Sequence, residues 1–225
     1  MSFMKTNTVD IIVDGTTYNT LEDYGFAIEN TDYLGDPVVG DSGLVVVPGK
    51  NGILDMTEAV FGGPWYKYRK IKIKLGGMMD SETWDAAISS LRNLFDGKNV
   101  KLVFENDPDW YWYGRCSIKN FSHIRALGTF ELCIDYADPY KHKDITLTTT
   151  ATTSGATVSA SVTEETVVPE VTCTASITIT VDDDTTYSFV SGTHKNLEMR
   201  LSPGTHSLKV KGSGSVTIFY KDGSL

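Results

Sequence analysis

With four histidines and three cysteines in 225 residues, the sequence has little material for metal or thiol chemistry. His123, His142, His194 and His206 are scattered and form no metal-ligand spacing with one another or with cysteine. Cys116, Cys133 and Cys173 are odd in number, widely spaced and outside any CxxC pair, which argues against a disulfide framework or a zinc site and for buried thiols. GxSxG, HExxH and GxxxxGK[ST] are all missing, so hydrolase, zinc-protease and phosphate-loop readings lack their carriers. No pair of carboxylates is singled out for glycosidase work. The expectation is a chain that is not an enzyme and holds no metal or cofactor. No apolar run approaches the roughly 18 residues of a membrane span, and MSFMKTNTVD lacks a charged-then-apolar signal pattern. A chain made and kept in a cytoplasm, with no membrane partner, is expected. Excess basic charge is absent too: the net charge is −9 and the sequence pI about 4.9. A general nucleic-acid binder needs a basic face to displace counterions from phosphates.

What is present is mostly strand signal. VDIIV and TTY flank Asp14-Gly15, a dipeptide that supplies the positive φ angles of a tight hairpin. A loop-rich stretch follows, punctuated by Gly35, Pro37, Gly40, Gly43, Pro48, Gly49 and Gly52. In YRKIKIKL, Ile71, Ile73 and Leu75 alternate with Lys70, Lys72 and Lys74, the pattern of a strand with one wet face. One helix is expected, with Asp80 or Ser81 as N-cap and Gly97 closing it; Trp84, Ile88, Leu91 and Phe95 form a single apolar stripe that reads as a packing face. NVKLVFE, the aromatic DWYWYGR run and GTFELCIDY are further strands.

Composition changes near residue 144. Residues 144–170 contain no aromatic side chain and are dominated by Thr, Ser, Ala and Val. Such a stretch is either a disordered linker or, favoured here by β propensity, extended strands. ASITITV, TTYSFV, NLEMRL, HSLKV and SVTIFY then follow at close spacing between DDD, SGT, PGT and GSG turns, which implies a second, all-β domain. Both parts are acidic, with 15 basic against 20 acidic residues up to Lys143 and 5 against 9 beyond it.

Four features merit a functional reading beside a plain one. Asp182, Asp183 and Asp184 form a hairpin turn, whose plain reading as a solvated loop is preferred to calcium because a calcium ion needs six to eight oxygens. His123 and His206 lie next to turns, where a solvated imidazole is expected. The row Lys70, Lys72, Lys74, preceded by Lys67 and flanked by Trp65, Tyr66 and Tyr68, is the best nucleic-acid candidate; its plain reading is a solvated or cross-strand-paired sheet face. In the aromatic run, strand alternation puts Trp110, Trp112, Cys116 and Ile118 on a core face and Tyr111, Tyr113 and Arg115 on the other, with residue types enriched at protein interfaces.

VPGKNGILDMTEAVFG, YRKIKIKL, the helix ending LFDGK, FENDPDWYWYGR and DYADPYKHK occur in one order across most of residues 1–143. Together they resemble the N-terminal domain of the distal tail proteins of long, non-contractile-tailed bacteriophages. The resemblance implies a mainly β chain: a β-sandwich or split-barrel-like domain with one packed α-helix over 1–143, then a small galectin-like all-β sandwich over 144–225. It implies a homohexameric ring built by the first domain at the end of the tail tube, a structural part of the virion's tail tip. One face would meet the major tail tube protein, the other a tail hub or tail-associated lysin, with receptor-binding proteins as further partners. DNA would pass through the channel only as cargo. LSPGTHSLKVKGSGSVTIFYKDGSL is similar to the closing strands of the galectin-like domain, although 82 residues is compact for one and no sugar-binding motif carries over. The rival reading from another class is a carbohydrate-binding adhesion module that grips a bacterial surface glycan.

Overall fold

The computed structural model describes residues 8–30, 32–61 and 65–225; the first seven residues and Gly62, which closes the VPGKNGILDMTEAVFG stretch, lie outside them. The chain is mainly β, as expected, and divides into two compact units, residues up to Lys141 and residues from His142.

The first unit runs β1 (Val9–Val13), β2 (Thr16–Asn19), β3 (Ala27–Ile28), β4 (Val38–Val39), β5 (Leu44–Val45), β6 (Leu54–Asp55), α1 (Thr57–Phe61), β7 (Tyr66–Met78), α2 (Trp84–Phe95), β8 (Asn99–Phe104), β9 (Trp112–Arg115), β10 (Ser117–Ile124) and β11 (Leu127–Ala137). One sheet has the order β2-β1-β8-β9; the other has β10-β11-β7-β3, with β4 also paired to β7. The β1–β2 hairpin turns on Asp14 and Gly15, at φ 50° and 82°, the left-handed conformation that Asp-Gly adopts at low cost. Alternation in β7 buries Ile71, Ile73 and Leu75 and leaves Lys70, Lys72 and Lys74 exposed. These side chains meet Val9, Ile11, Leu102 and Leu132 in one core, and α2 adds Trp84, Ile88, Leu91 and Phe95 to it. The Trp84 indole N–H donates to the Ala126 carbonyl at 3.1 Å, which ties the helix to the β10–β11 turn.

The ends of α2 differ in how well residue type anticipates them. Gly97 follows the helix at φ 74° and its N–H donates to the Cys116 carbonyl, so the expected glycine close is present. At the other end the N-cap is Thr83, not Asp80 or Ser81; residues 81–83 form a turn on which Thr83 donates to the Asp80 carbonyl. A second, short helix, α1, lies in the stretch whose glycines and prolines suggested only loop.

Past β9 the chain steps from one sheet to the other across Cys116 alone. The step requires Gly114: a Cβ there would lie 2.4 Å from Ile134 Cγ2 and 3.0 Å from Ala137 Cα. The glycine within the aromatic run is therefore a site of close sheet-to-sheet approach.

The second unit is formed by β12 (Lys141–Thr150, starting on the last residue of the first unit), β13 (Ala156–Val162), β14 (Glu170–Cys173), β15 (Ile177–Val181), β16 (Thr185–Phe189), β17 (Gly192–Lys195), β18 (Gly204–Gly212) and β19 (Ser215–Ser224). Two four-stranded sheets, β12-β19-β14-β17 and β13-β18-β15-β16, enclose a core that includes Val171, Ile179, Leu208, Val210 and Ile218. The threonine-rich stretch is thus largely strand rather than linker. NLEMRL is the reverse case: residues 196–201 form a turn with a single bridge from Leu201 to Val167, yet Met199 and Leu201 are fully buried. Their hydrophobicity reports a plug into the sandwich, not a ladder.

Candidate functional site

Each of the first three rings of the aromatic run carries a cation. Lys141 Nζ lies 5.1 Å from the Trp110 ring, Lys101 Nζ 4.0 Å from the Tyr111 ring, and the Arg69 guanidinium 4.6 Å from the Trp112 ring. A cation over a ring face is held by the ring quadrupole, so these rings are already engaged within their own unit. Trp112 is a core residue at 5% exposure, and Trp110 is only half-buried. Tyr111 corrects the expectation: it shares the Tyr113 face, yet it is 7% exposed. Alternation fixes which way a side chain points but not what covers it. Among the four rings of the run, Tyr113 alone is exposed, at 40%. Arg115 is exposed, and its guanidinium donates to the Gly97 carbonyl just past the end of α2. Of the three residues expected at a surface, Tyr113 and Arg115 are exposed and Tyr111 is buried.

The lysine row does share one face of β7, but it is not a free cationic strip. Lys72 pairs with Glu131 at 2.9 Å, Lys74 with Glu29 at 2.8 Å and Lys67 with Asp41 at 2.5 Å, while Lys70 is simply exposed. The hydrogen bond and charge of Glu131 raise the Lys72 pKa, and those of Lys67 lower the Asp41 pKa. Charges matched in this way do not attract phosphates.

Among the described residues, no three His, Cys, Asp or Glu side chains gather to hold a metal ion, and no helix is long and apolar enough to cross a membrane. All three cysteines are free and buried. Burial pushes the Cys116 thiol up to about 12, far from a nucleophilic thiolate.

In the second unit, an open groove of about 420 Å³ is lined by Glu165, Thr166, Glu170, Lys195, Leu197 and Lys221, with half-buried Phe219 its exposed aromatic surface. The Tyr220 hydroxyl is tied to the Ser161 backbone, donating at 2.8 Å and accepting at 3.1 Å. The Asp182–Asp184 turn is more organised than a solvated loop. Asp182 accepts from Ser207 N at 2.7 Å and faces His206 Nδ1 at 2.7 Å, while His206 Nε2 faces the Ser202 carbonyl at 2.7 Å. Both ring nitrogens meet acceptors, so the doubly protonated imidazolium is favoured, and the hydrogen bond to Asp182 raises the His206 pKa above its ordinary 6.5. Because the folded pKa is the higher one, this stabilisation is complete below about pH 6.5 and is lost as pH rises through the raised value. Melting curves of the wild type and His206→Gln are expected to differ most near pH 6 and to converge toward pH 9; a constant gap would show that the charge is not involved.

The surface that sequence patterning missed is apolar. Residues 41–60, which hold β5, β6 and α1, bury only Gly43 and Thr57 and contribute nothing to the core of the first unit. Val39, Val46, Ile53 and Val60 are 59–73% exposed. The segment leaves the sheet at the start of β7, fixed there by Val38 and Val39 opposite Tyr68 and Tyr66, and by Gly40 N donating to the Trp65 carbonyl at 2.8 Å. A second apolar patch lies where β7 ends. Met78 pairs with Leu127, and Ile124 with Leu127, at the tip of the β10–β11 hairpin, and these three side chains are 61–79% exposed. The signal for the first patch was present in GLVVVP and NGILDM, apolar runs inside a stretch whose punctuation forbids a core element.

No family model and no curated protein matches the chain. Its fold is shared with SPP1 Dit. The crystal structure of SPP1 Dit (gp 19.1), described as a paradigm of the hub adsorption apparatus of phages that infect Gram-positive bacteria, matches 96% of this chain and 99% of its own, with a TM-score of 0.62 and 17% identity. At that identity the likeness to SPP1 Dit is one of fold, and it extends over both units of the chain.

Proposed function

We propose that this chain is a structural component of a bacteriophage tail tip: a distal tail ring of six copies that joins the tail tube to the tail hub and surrounds the DNA channel. The observation that carries the reading is the near-complete, two-way coverage between this chain and SPP1 Dit, in which neither has a large element the other lacks. The ordered elements of residues 1–143 support the same reading independently of the fold. So does the exposed apolar surface of the first unit, since monomeric proteins rarely display such patches without a partner.

The role is geometric rather than catalytic. Residues 1–143 build the ring, and residues 144–225 form a galectin-like sandwich at its periphery. A ring arises when a heterologous subunit contact repeats through a rotation that closes. Its faces would meet the major tail tube protein on one side and the hub or tail-associated lysin on the other, with receptor-binding proteins as further partners. The acidic character of both parts suits a conduit from which DNA must not stick. The protein is made in the host cytoplasm and resides in the virion, at the distal end of the tail. The test is its place in the particle: density for six copies is expected between tube and hub, and density elsewhere in the virion would overturn the assignment.

A further inference from the structure

We infer that Asn51 is a site of spontaneous covalent modification, at which the side-chain amide of the native protein is converted to a carboxylate through attack by the Gly52 backbone nitrogen. The inference is independent of the ring reading above. The reaction is intramolecular. The Gly52 nitrogen gives up its proton and bonds to Asn51 Cγ, and the side-chain nitrogen leaves as ammonia, so that a five-membered imide remains. Water then adds to one of the two imide carbonyls and breaks its bond to nitrogen. The product is aspartate, or isoaspartate where the main chain now runs through the former side chain. Solvent water is the only co-reactant, and a following glycine favours the closure because it has no Cβ to obstruct the approach. Glycine follows Asn or Asp four times in the sequence: Asp14-Gly15, Asn51-Gly52, Asp96-Gly97 and Asp222-Gly223. The fold holds three of these. Asp14 pairs with Lys98 at 2.9 Å. Asp96 Oδ1 accepts from Ile118 N at 2.5 Å, and Gly97 N–H donates to the Cys116 carbonyl at 2.9 Å. Asp222 is 6% exposed and accepts from the N–H and the hydroxyl of Thr163, at 2.7 and 2.6 Å. Closure at any of them first has to break one of these contacts. Asn51 and Gly52 are exposed and make no hydrogen bond with any described residue. They lie between β5 and β6, in the segment of residues 41–60 that contributes nothing to the core. Neither packing nor a hydrogen bond therefore opposes the backbone rotation that brings nitrogen and Cγ together. The new carboxylate appears next to Lys50, at an exposed loop tip, the kind of place where chain changes are best tolerated.

The test keeps the full-length protein in neutral buffer, native in one series and unfolded in guanidinium in the other. Peptides are then mapped by mass spectrometry for isoaspartate and for the mass gained when an amide becomes an acid. In the native protein, isoaspartate is expected at residue 51 and at none of the other three positions, and it should accumulate there at close to the rate of the unfolded chain. In guanidinium it is expected at residues 14, 96 and 222 as well, because the contacts that hold them are gone. Asn51→Gln, with one more methylene between backbone and amide, disfavours the closure and should remove the native signal; the position is exposed, so the variant should fold as the wild type does. Residue 51 staying unmodified in the native protein, or reacting there far more slowly than in the unfolded chain, would overturn the inference. So would native isoaspartate arising first at residue 14, 96 or 222, or a native signal that persists in Asn51→Gln.

Discussion

Trp112→Ala is expected to cost about 3–5 kcal/mol, the usual range for removing a buried tryptophan, and so to consume a large part of a domain's stability of about 5–15 kcal/mol. Trp112 is nearly enclosed between the sheets of the first unit, and its ring face is what the Arg69 guanidinium rests on. Truncation would leave both a cavity and a buried cation without its ring, and burial already lowers the Arg69 pKa. One residue on, Tyr113→Ala should change stability by no more than about 0.5 kcal/mol, as surface substitutions usually do. Tyr111→Ala should fall with Trp112 rather than with Tyr113, because the ring is buried beneath Lys101. Chemical-denaturant melts of the three variants decide the matter. Equal losses for Tyr113 and Trp112 would mean that both faces of β9 are core; a neutral Tyr111→Ala would mean that this ring is not held as described.

Leu201→Ala should cost about 2–5 kcal/mol although Leu201 belongs to no strand. It and Met199 are fully buried in the second sandwich, where the single Val167 bridge anchors the turn that carries them. If the two units fold separately, calorimetry of this variant should show the transition of the second unit moved down and that of the first unit unmoved. A uniform shift of one common transition would show that the units share their stability, and the division near residue 142 would then be one of shape alone.

What the sequence reveals about this fold follows from which signals are local. The lysine–isoleucine alternation of β7, the Asp14-Gly15 turn and the stripe of α2 each encode their geometry within a few residues, and each is present in the structure. NLEMRL failed because hydrophobicity alone does not distinguish a strand from a buried turn. Tyr111 failed because alternation gives the direction of a side chain while burial depends on remote neighbours, here Lys101 across the sheet. The solvated His206 that the sequence predicts fails for the same reason: its partner Asp182 comes from a turn remote in sequence, even though Ser202 is local. The apolar arm was hidden by its own punctuation. Glycine and proline marked it as loop, and loops are ordinarily polar, so the exposed Val46 and Ile53 stand out only once the core is known to exclude them. Enrichment in interface residue types pointed to the tyrosines, whereas exposed area without a core points to the arm.

The central claim is that this chain forms a ring at the distal end of a phage tail, and a reconstruction of the tail end of the virion that carries it tests this most directly. The predicted result is six copies between tube and hub, with the first unit of each copy forming the ring and the second unit outside it. Density that places the chain elsewhere in the particle, or that places it at the tail end with the first units not touching one another, would contradict the account.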